Sequence, residues 1–304
     1  MVVDCSECGS SNTIKYGKRS MKNGSKPVFY CNGCGSKFVE PGFKDKSYSG
    51  KVILEALKYY ALGYSLEQSS KNVNKRFKVK TSRNTVYNWV REYRDICKIL
   101  ADRDKYTEGF EPETIITEHS YVHSGLEYPY RVHNKKLELA EEYGFDGLAE
   151  FLNSLDSEID HSIFEKCARS SQVEHGKEKR SYQAEEDVLS CRIADLALKA
   201  NNNRRKRHDS VQDLMLKTDK ATVATEVPVW YYDKKLEDTI TGHIDILQTR
   251  NNKVHILDYK PKAEKVEPVS QLTSYVKALS YRTGIPRDKF KAAWFDEEVY
   301  RVLF

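Results

Sequence analysis

Two aspartates and a lysine, Asp245, Asp258 and Lys260, stand on either side of the pair Asn251-Asn252. The flanking runs, Thr239 to Gln248 and Val254 to Lys260, are rich in β-branched residues and read as two strands joined by a tight turn. With the turn centred on Asn251-Asn252, Asp245 lies opposite Asp258 and His243 lies opposite Lys260. Like charges directly across a ladder repel. A divalent cation between them reverses that sign, and carboxylate oxygens are the donors that magnesium and manganese prefer. The chemistry expected of this hairpin is therefore the binding of a hard divalent cation. Lys260 shares the face of Asp258, because residues two apart on a strand point the same way.

The elements that must hold these groups extend in both directions. Upstream, Thr222 to Tyr231 is a third β-branched and aromatic run, followed by the polar loop Asp233 to Asp238. Centring that loop between Lys235 and Leu236 sets Glu226 opposite Asp245, so Glu226, Asp245 and Asp258 form one row across a meander. A slip of one residue would destroy the row. Pro228 requires an edge position or a bulge. Downstream, Pro268 to Leu279 has Leu272, Val276 and Leu279 as a core stripe and places Gln271 and Tyr275 on a common helix face. Gly284 and Pro286 end that helix, and Phe290 to Phe295 reads as a further buried strand.

Gly242-His243-Ile244-Asp245, then Asp258-Tyr259-Lys260, then Gln271-Leu272-Thr273-Ser274-Tyr275 resembles the PD-(D/E)xK nuclease superfamily, in its RecB-like branch. That pattern is G-x-x-D, then D/E-x-K, then Q-x-x-x-Y on the next helix, on a core ordered strand, strand, strand, helix, strand. The resemblance implies an α/β restriction-endonuclease-like core, a mixed sheet flanked by helices, that hydrolyses phosphodiester bonds with one or two magnesium or manganese ions. It makes Asp245 and Asp258 metal ligands, the Tyr259 carbonyl a further candidate ligand, and Lys260 the residue that positions and activates the attacking water. Gln271 and Tyr275 would line the substrate channel. Relatives also carry a histidine on a helix before the first core strand; the candidate here is His175, with Glu226 as the alternative group completing the metal site. The iron–sulfur cluster of some relatives needs three cysteines after the core, and no cysteine follows Cys191. His119, His123 and His133 have no matching acid or thiol spacing and are not expected to bind metal.

The amino-terminal part carries a different signal. Cys5-Ser6-Glu7-Cys8-Gly9 and Cys31-Asn32-Gly33-Cys34-Gly35 are paired C-x-x-C-G knuckles, with 22 residues, Gly9 to Tyr30, between Cys8 and Cys31. Four thiolates at such spacing close a tetrahedron around one structural zinc, and each glycine allows the turn that aims amides at sulfur. Lys26 to Tyr30 and Lys37 to Val39 read as short strands of a zinc ribbon. From Ser49 the period becomes helical. Val52, Ile53, Ala56, Leu57 and Tyr60 mark one helix, Leu66, Val73 and Phe77 a second, and Thr81 or Ser82 caps a third over Arg83 to Tyr93. With Val86, Trp89, Val90 and Tyr93 inward, Arg83, Asn84, Thr85, Tyr87, Asn88 and Arg91 remain to contact bases and phosphates. The segment resembles the helix-turn-helix of insertion-sequence transposases and resolvases, which recurs behind a zinc ribbon.

Residues 1–110 hold 21 Lys+Arg against 11 Asp+Glu, a net of +10, which leaves −5 for the rest of a chain whose total is +5. The basic part would neutralise phosphates and make affinity salt-sensitive. A second basic run, Arg204-Arg205-Lys206-Arg207-His208, could form a DNA-contacting loop beside the nuclease face. No run approaches the ~18 apolar residues of a membrane span, so an intracellular location is expected. The expected organisation is multidomain: a zinc ribbon at 1–45, a helix-turn-helix at 46–110, a helical connector at 111–160, and the nuclease domain at 161–304. Ala184 to Ala200 is expected as one helix. The expected activity is a metal-dependent DNA endonuclease with duplex DNA as partner, single-stranded regions included, and a homodimer is favoured if both strands are cut. An end-dependent exonuclease, an RNA substrate, and a non-catalytic DNA-binding regulator or transposition accessory are the alternatives.

Overall fold

Among the described residues, nine strands from three separated stretches of sequence lie in one sheet. The computed structural model describes residues 10, 12–21, 24–39, 46–173, 182–185, 188–201 and 206–303. A small antiparallel sheet comes first, with β1 (Thr13–Met21), β2 (Gly24–Cys31) and β3 (Lys37–Val39) side by side in that order. The turn after Cys31 closes through Gly35, whose amide donates to the Cys31 carbonyl at 2.9 Å. Its φ of +72° is the left-handed conformation that glycine adopts without a Cβ penalty. Cys31 ends β2 and Cys34 lies in this turn, whereas Cys5 and Cys8 lie outside the described residues.

Three helices follow: α1 (Gly50–Ala61), α2 (Leu66–Phe77) and α3 (Arg83–Tyr93). Ser65 and Ser82 open α2 and α3 with capping boxes, answered by Gln68 and Thr85. The bounds of α3 are those expected from its period, and Val86, Trp89 and Val90 are buried as expected.

Residues 111–160, expected to be a helical connector, instead begin with a hairpin. β4 (Ile116–His123) pairs with β5 (Leu126–His133), and β5 pairs in turn with the strand Thr222–Asp233. Alternating β-branched and aromatic residues such as Tyr121, Tyr128, Tyr130 and Val132 explain the strands. Only then come α4 (Asn134–Glu142) and α5 (Asp146–Glu158). Lys136 on α4 is fully buried and donates to the carbonyls of Leu216, Asp219 and Thr222 at 2.5, 2.6 and 2.9 Å, which locks this region to the core.

The remaining elements are α6 (Ile163–Lys166), β6 (Ala168–Arg169), β7 (Tyr182–Glu185), α7 (Leu189–Ala200), α8 (Arg207–Thr218), β8 (Thr222–Asp233), β9 (Asp238–Arg250), β10 (Lys253–Tyr259), α9 (Val269–Thr283), β11 (Phe290–Phe295) and β12 (Tyr300–Leu303). The helix expected over Ala184 to Ala200 is thus divided, its first residues serving as edge strand β7. The large sheet runs β4-β5-β8-β9-β10-β11-β12-β7, with β6 beside β9. It is mixed, since β10 and β11 are parallel and joined through α9. Period-two alternation supplies both faces: Ile246 and Leu257 join the core of α7 and α8, while their neighbours Leu247 and Ile256 join that of α4, α5 and α9. The first core continues into α1, α2 and α3. Among the described residues no helix is long and apolar enough to cross a membrane.

Candidate active site

The β9–β10 ladder keeps the expected register from Lys253 opposite Arg250 to Leu257 opposite Ile246, and there the paired ladder ends. Asp245 and Asp258 are the next residues on the two strands and meet where it ends. Asp258 is fully buried, and Lys260 Nζ donates to its Oδ1 at 3.1 Å while lying 2.9 Å from its Oδ2. The second approach is an ion pair without hydrogen-bond alignment, so Oδ2 has no hydrogen-bond partner. Asp245 Oδ2 accepts from the Tyr259 amide at 3.0 Å and lies 3.5 Å from His208 Nδ1. The role found for Tyr259 is therefore its N–H. The expected facing of His243 and Lys260 does not occur, because the Lys260 amide bonds the Phe295 carbonyl on β11.

On the other side, β8 and β9 pair as expected at Thr225 with Ile246 and Val227 with Ile244. Glu226, between them, departs from the ladder with φ +52°, a left-handed conformation that is strained for a residue carrying a Cβ. Its carboxylate accepts from Gln212 Nε2 at 2.6 Å. Pro228 pairs with His243 beyond the short stretch where β5 covers β8, so its missing N–H falls where the strand is an edge.

Electrostatics at this fork are unbalanced. Burial raises the Asp258 carboxyl and the charge of Asp245 raises it further, against Lys260, to about 7. Glu226 is raised by burial and by Asp245, against its bond from Gln212. Asp245 moves the other way: burial opposes its charge, but His208, Lys260 and the Tyr259 amide outweigh it. Lys260 and His208 both resist deprotonation, since despite burial Asp258 holds the first protonated and Asp245 the second.

A metal was expected here. Among the described residues no three His, Cys, Asp or Glu side chains stand ready as a cage for an ion. Each carboxylate is turned onto an internal partner instead: Asp258 onto Lys260, Glu226 onto Gln212, Asp245 onto the Tyr259 amide and His208. The donor chemistry nevertheless fits a hard divalent cation. Asp245 acts on both Glu226 and Asp258, those two are pushed toward protonation, and one buried Asp258 oxygen lacks a hydrogen bond.

A cavity of about 240 Å³ opens onto this fork, lined by Asp245, Glu226, Gly242, Gln271 and Tyr275 among others. Gln271 Nε2 donates to the Tyr275 hydroxyl at 2.7 Å, so the two helix residues expected on one face are brought to the carboxylates together. A Cβ on Gly242 would come within 2.6 Å of both Ser170 Oγ and Tyr275 Cε1. The glycine of the first motif is required by the tyrosine of the third.

His175 lies outside the described residues. The histidine at the fork is His208, in the first turn of α8, the helix directly before β8. Its place at the end of the 204–208 basic run, on the last helix before the first core strand, was a signal in the sequence for it, as was Gln212 at i+4. His243, two residues from Asp245, belongs to a separate chain of rings: its Nε2 is 2.7 Å from His123 Nδ1, and His123 Nε2 is 2.9 Å from His161 Nδ1. These contacts use opposite nitrogens of His123, so their lone pairs do not converge on one point. His119 pairs with Asp156 at 2.8 Å.

On α3, Arg83, Asn84, Tyr87, Asn88 and Arg91 are exposed. Thr85 is half-buried, with its hydroxyl 2.9 Å from that of Ser82 in the capping box, which takes it out of a base-reading role.

Comparison with protein-family models, with curated proteins and with solved structures found no match.

Proposed function

We propose that this chain is a divalent-metal-dependent deoxyribonuclease, an endonuclease brought to duplex DNA by its amino-terminal ribbon and helices. The observation that carries this reading is the meeting of Asp245, Asp258, Lys260 and Glu226 at the fork of β9 and β10, with Gln271 and Tyr275 lining the cavity beside it. Asp245 and Asp258, assisted by Glu226, would hold magnesium or manganese, and His208 would stay a charge partner of Asp245. When bound, such an ion lowers the pKa of a water and stabilises charge on the phosphoryl group. Lys260, held protonated by two aspartates, orients the attacking water and faces the negative charge on the phosphoryl oxygens. Gln271 and Tyr275 orient the scissile strand. The same reading places one structural zinc on Cys5, Cys8, Cys31 and Cys34. It gives duplex contact to Arg83, Asn84, Tyr87, Asn88 and Arg91.

The test is cleavage of covalently closed plasmid and of an end-labelled linear duplex with magnesium or manganese, comparing wild type with Lys260→Ala. Closed-circle cutting that vanishes in the variant supports the reading. Degradation from free ends alone would replace it with an exonuclease. Binding without cutting under either metal would leave a DNA-binding accessory.

A further inference from the structure

A second cavity, of about 510 Å³, lies where the outer sides of α1 and α2 face α7 and α8. Six cations line it: Lys51 and Lys58 from α1, Arg76 from α2, Arg131 from β5, and Lys206 and Lys217 from α8 and the residue before it. Among the described residues three acids line it with them, Glu55, Asp209 and Asp213, and Glu118 reaches Arg131 at 2.5 Å from outside it. Each of these is already engaged. Glu55 pairs with Lys58 at 2.7 Å and with Arg76, Asp213 with Lys58 at 2.8 Å and Lys217 at 2.5 Å, and Asp209 with Arg131 at 3.1 Å. The acids therefore pin Lys58, Arg76, Arg131 and Lys217, and Lys51, Arg76 and Lys206 are exposed. Phe77 adds a half-buried aromatic ring with the Arg76 guanidinium 5.7 Å from its centroid.

We infer that this crevice is a second contact surface for the substrate strand, gripping the phosphate backbone of DNA that passes the carboxylate fork toward the three-helix region. The inference rests on the nuclease reading for the identity of the strand. It stands on geometry, because α8 is the wall shared by the two cavities: His208 faces Asp245, while Lys206 and Lys217 face the crevice. Arg131 joins them from β5, where it pairs with Thr225, next to Glu226. A row of cations, four of them held by acids and the other two exposed, with a net excess of positive charge and one aromatic ring suits a polyanion whose bases can stack. Neither an isolated phosphate nor an acidic peptide needs both.

The test uses full-length protein in EDTA, so that binding is read without cleavage. Fluorescence anisotropy with labelled single strands and duplexes of stepped length compares wild type with Lys51→Glu/Lys206→Glu, its milder form Lys51→Gln/Lys206→Gln, and Lys289→Glu as a distant control. The inference expects binding at least tenfold weaker in the Glu variant. In the Gln variant the slope of log affinity against log salt should be shallower by roughly two, since each phosphate contact contributes about 0.9. Lys289→Glu should change neither. Unaltered affinity and slope in both double variants, or equal loss in the control, would overturn it. Plasmid cleavage separates the two readings. If wild type cuts and the double variants cut with unchanged KM, the crevice is wrong and the nuclease stands. If wild type cuts nothing while the variants lose binding as expected, the crevice stands as a DNA site and the nuclease reading fails.

Discussion

Asp245 and Asp258 are apposed at the one point where β9 and β10 stop pairing, immediately beyond Ile246 and Leu257. Within the ladder, two facing aspartates would have their backbones fixed and their charges opposed. At its end, Asp245 turns to the Tyr259 amide and Asp258 to Lys260. The repulsion is managed rather than removed, and under the proposed nuclease reading it sets stability against activity.

Asp258→Asn should therefore abolish cleavage and stabilise the metal-free protein. The carboxyl is fully buried beside another acid, so its neutral amide relieves repulsion by about 1–3 kcal/mol. Urea denaturation in EDTA reads the stability and plasmid nicking the activity. A variant that is both inactive and less stable than wild type would contradict the account.

The sign of the pH dependence follows from the raised carboxyls. Asp258 binds its proton more tightly folded than unfolded, so its contribution is present below its unfolded pKa, near 4, and is lost as pH rises to about 7. A bound divalent cation should restore what is lost. Magnesium added to metal-stripped protein should raise the melting temperature at pH 8 more than at pH 5.5, read by differential scanning fluorimetry; an equal shift at both values would argue that the ion binds elsewhere.

His123 works in the opposite direction. Burial first, then the neighbouring His161, lowers it to about 4, so the folded protein keeps it neutral. Its stabilising contribution is complete above its unfolded value near 6.5 and is lost as pH falls to 4, with a ceiling of about 3 kcal/mol. His123→Gln should flatten the acid limb of a stability profile between those values. An unchanged slope would remove His123 from the account.

Gly242→Ala places a methyl against Ser170 and Tyr275, and overpacking of this kind costs about 1–3 kcal/mol. Activity should fall more than stability, because the tyrosine at the cavity mouth must move. Partial rescue by Ser170→Gly in the same chain, seen in cleavage rates, checks that the clash is the cause.

On α3, Asn88→Ala and Arg91→Ala should weaken duplex binding and leave stability within about 0.5 kcal/mol of wild type, since both side chains are exposed. Thr85→Ala should do the reverse: loss of its capping partner costs about 0.5–1 kcal/mol with little effect on DNA. Gel shifts and thermal melts on the three variants distinguish reader from cap, and loss of binding in Thr85→Ala alone would reverse the assignment.

Asn251-Asn252 and the 233–238 loop were enough to determine the strand registers that converge Glu226, Asp245 and Asp258, because a short turn dictates pairing over several residues on each side. Ser82 and the period of Val86, Trp89 and Val90 likewise bounded α3. Local chemistry could not reveal that the ladder ends one residue before the aspartates, nor that Glu226 leaves β8 in a left-handed conformation. Only tertiary packing delivered His208 and Gln212 to the fork, since α8 reaches it by docking on the sheet rather than by any spacing in the chain. The same is true of the β4–β5 hairpin, whose strands look ambiguous until β8 offers an edge, and of the cationic crevice. Lys51 and Lys206 are 155 positions apart, and their encounter depends on the burial of α1 against α7 and α8, a long-range hydrophobic contact that no local pattern encodes.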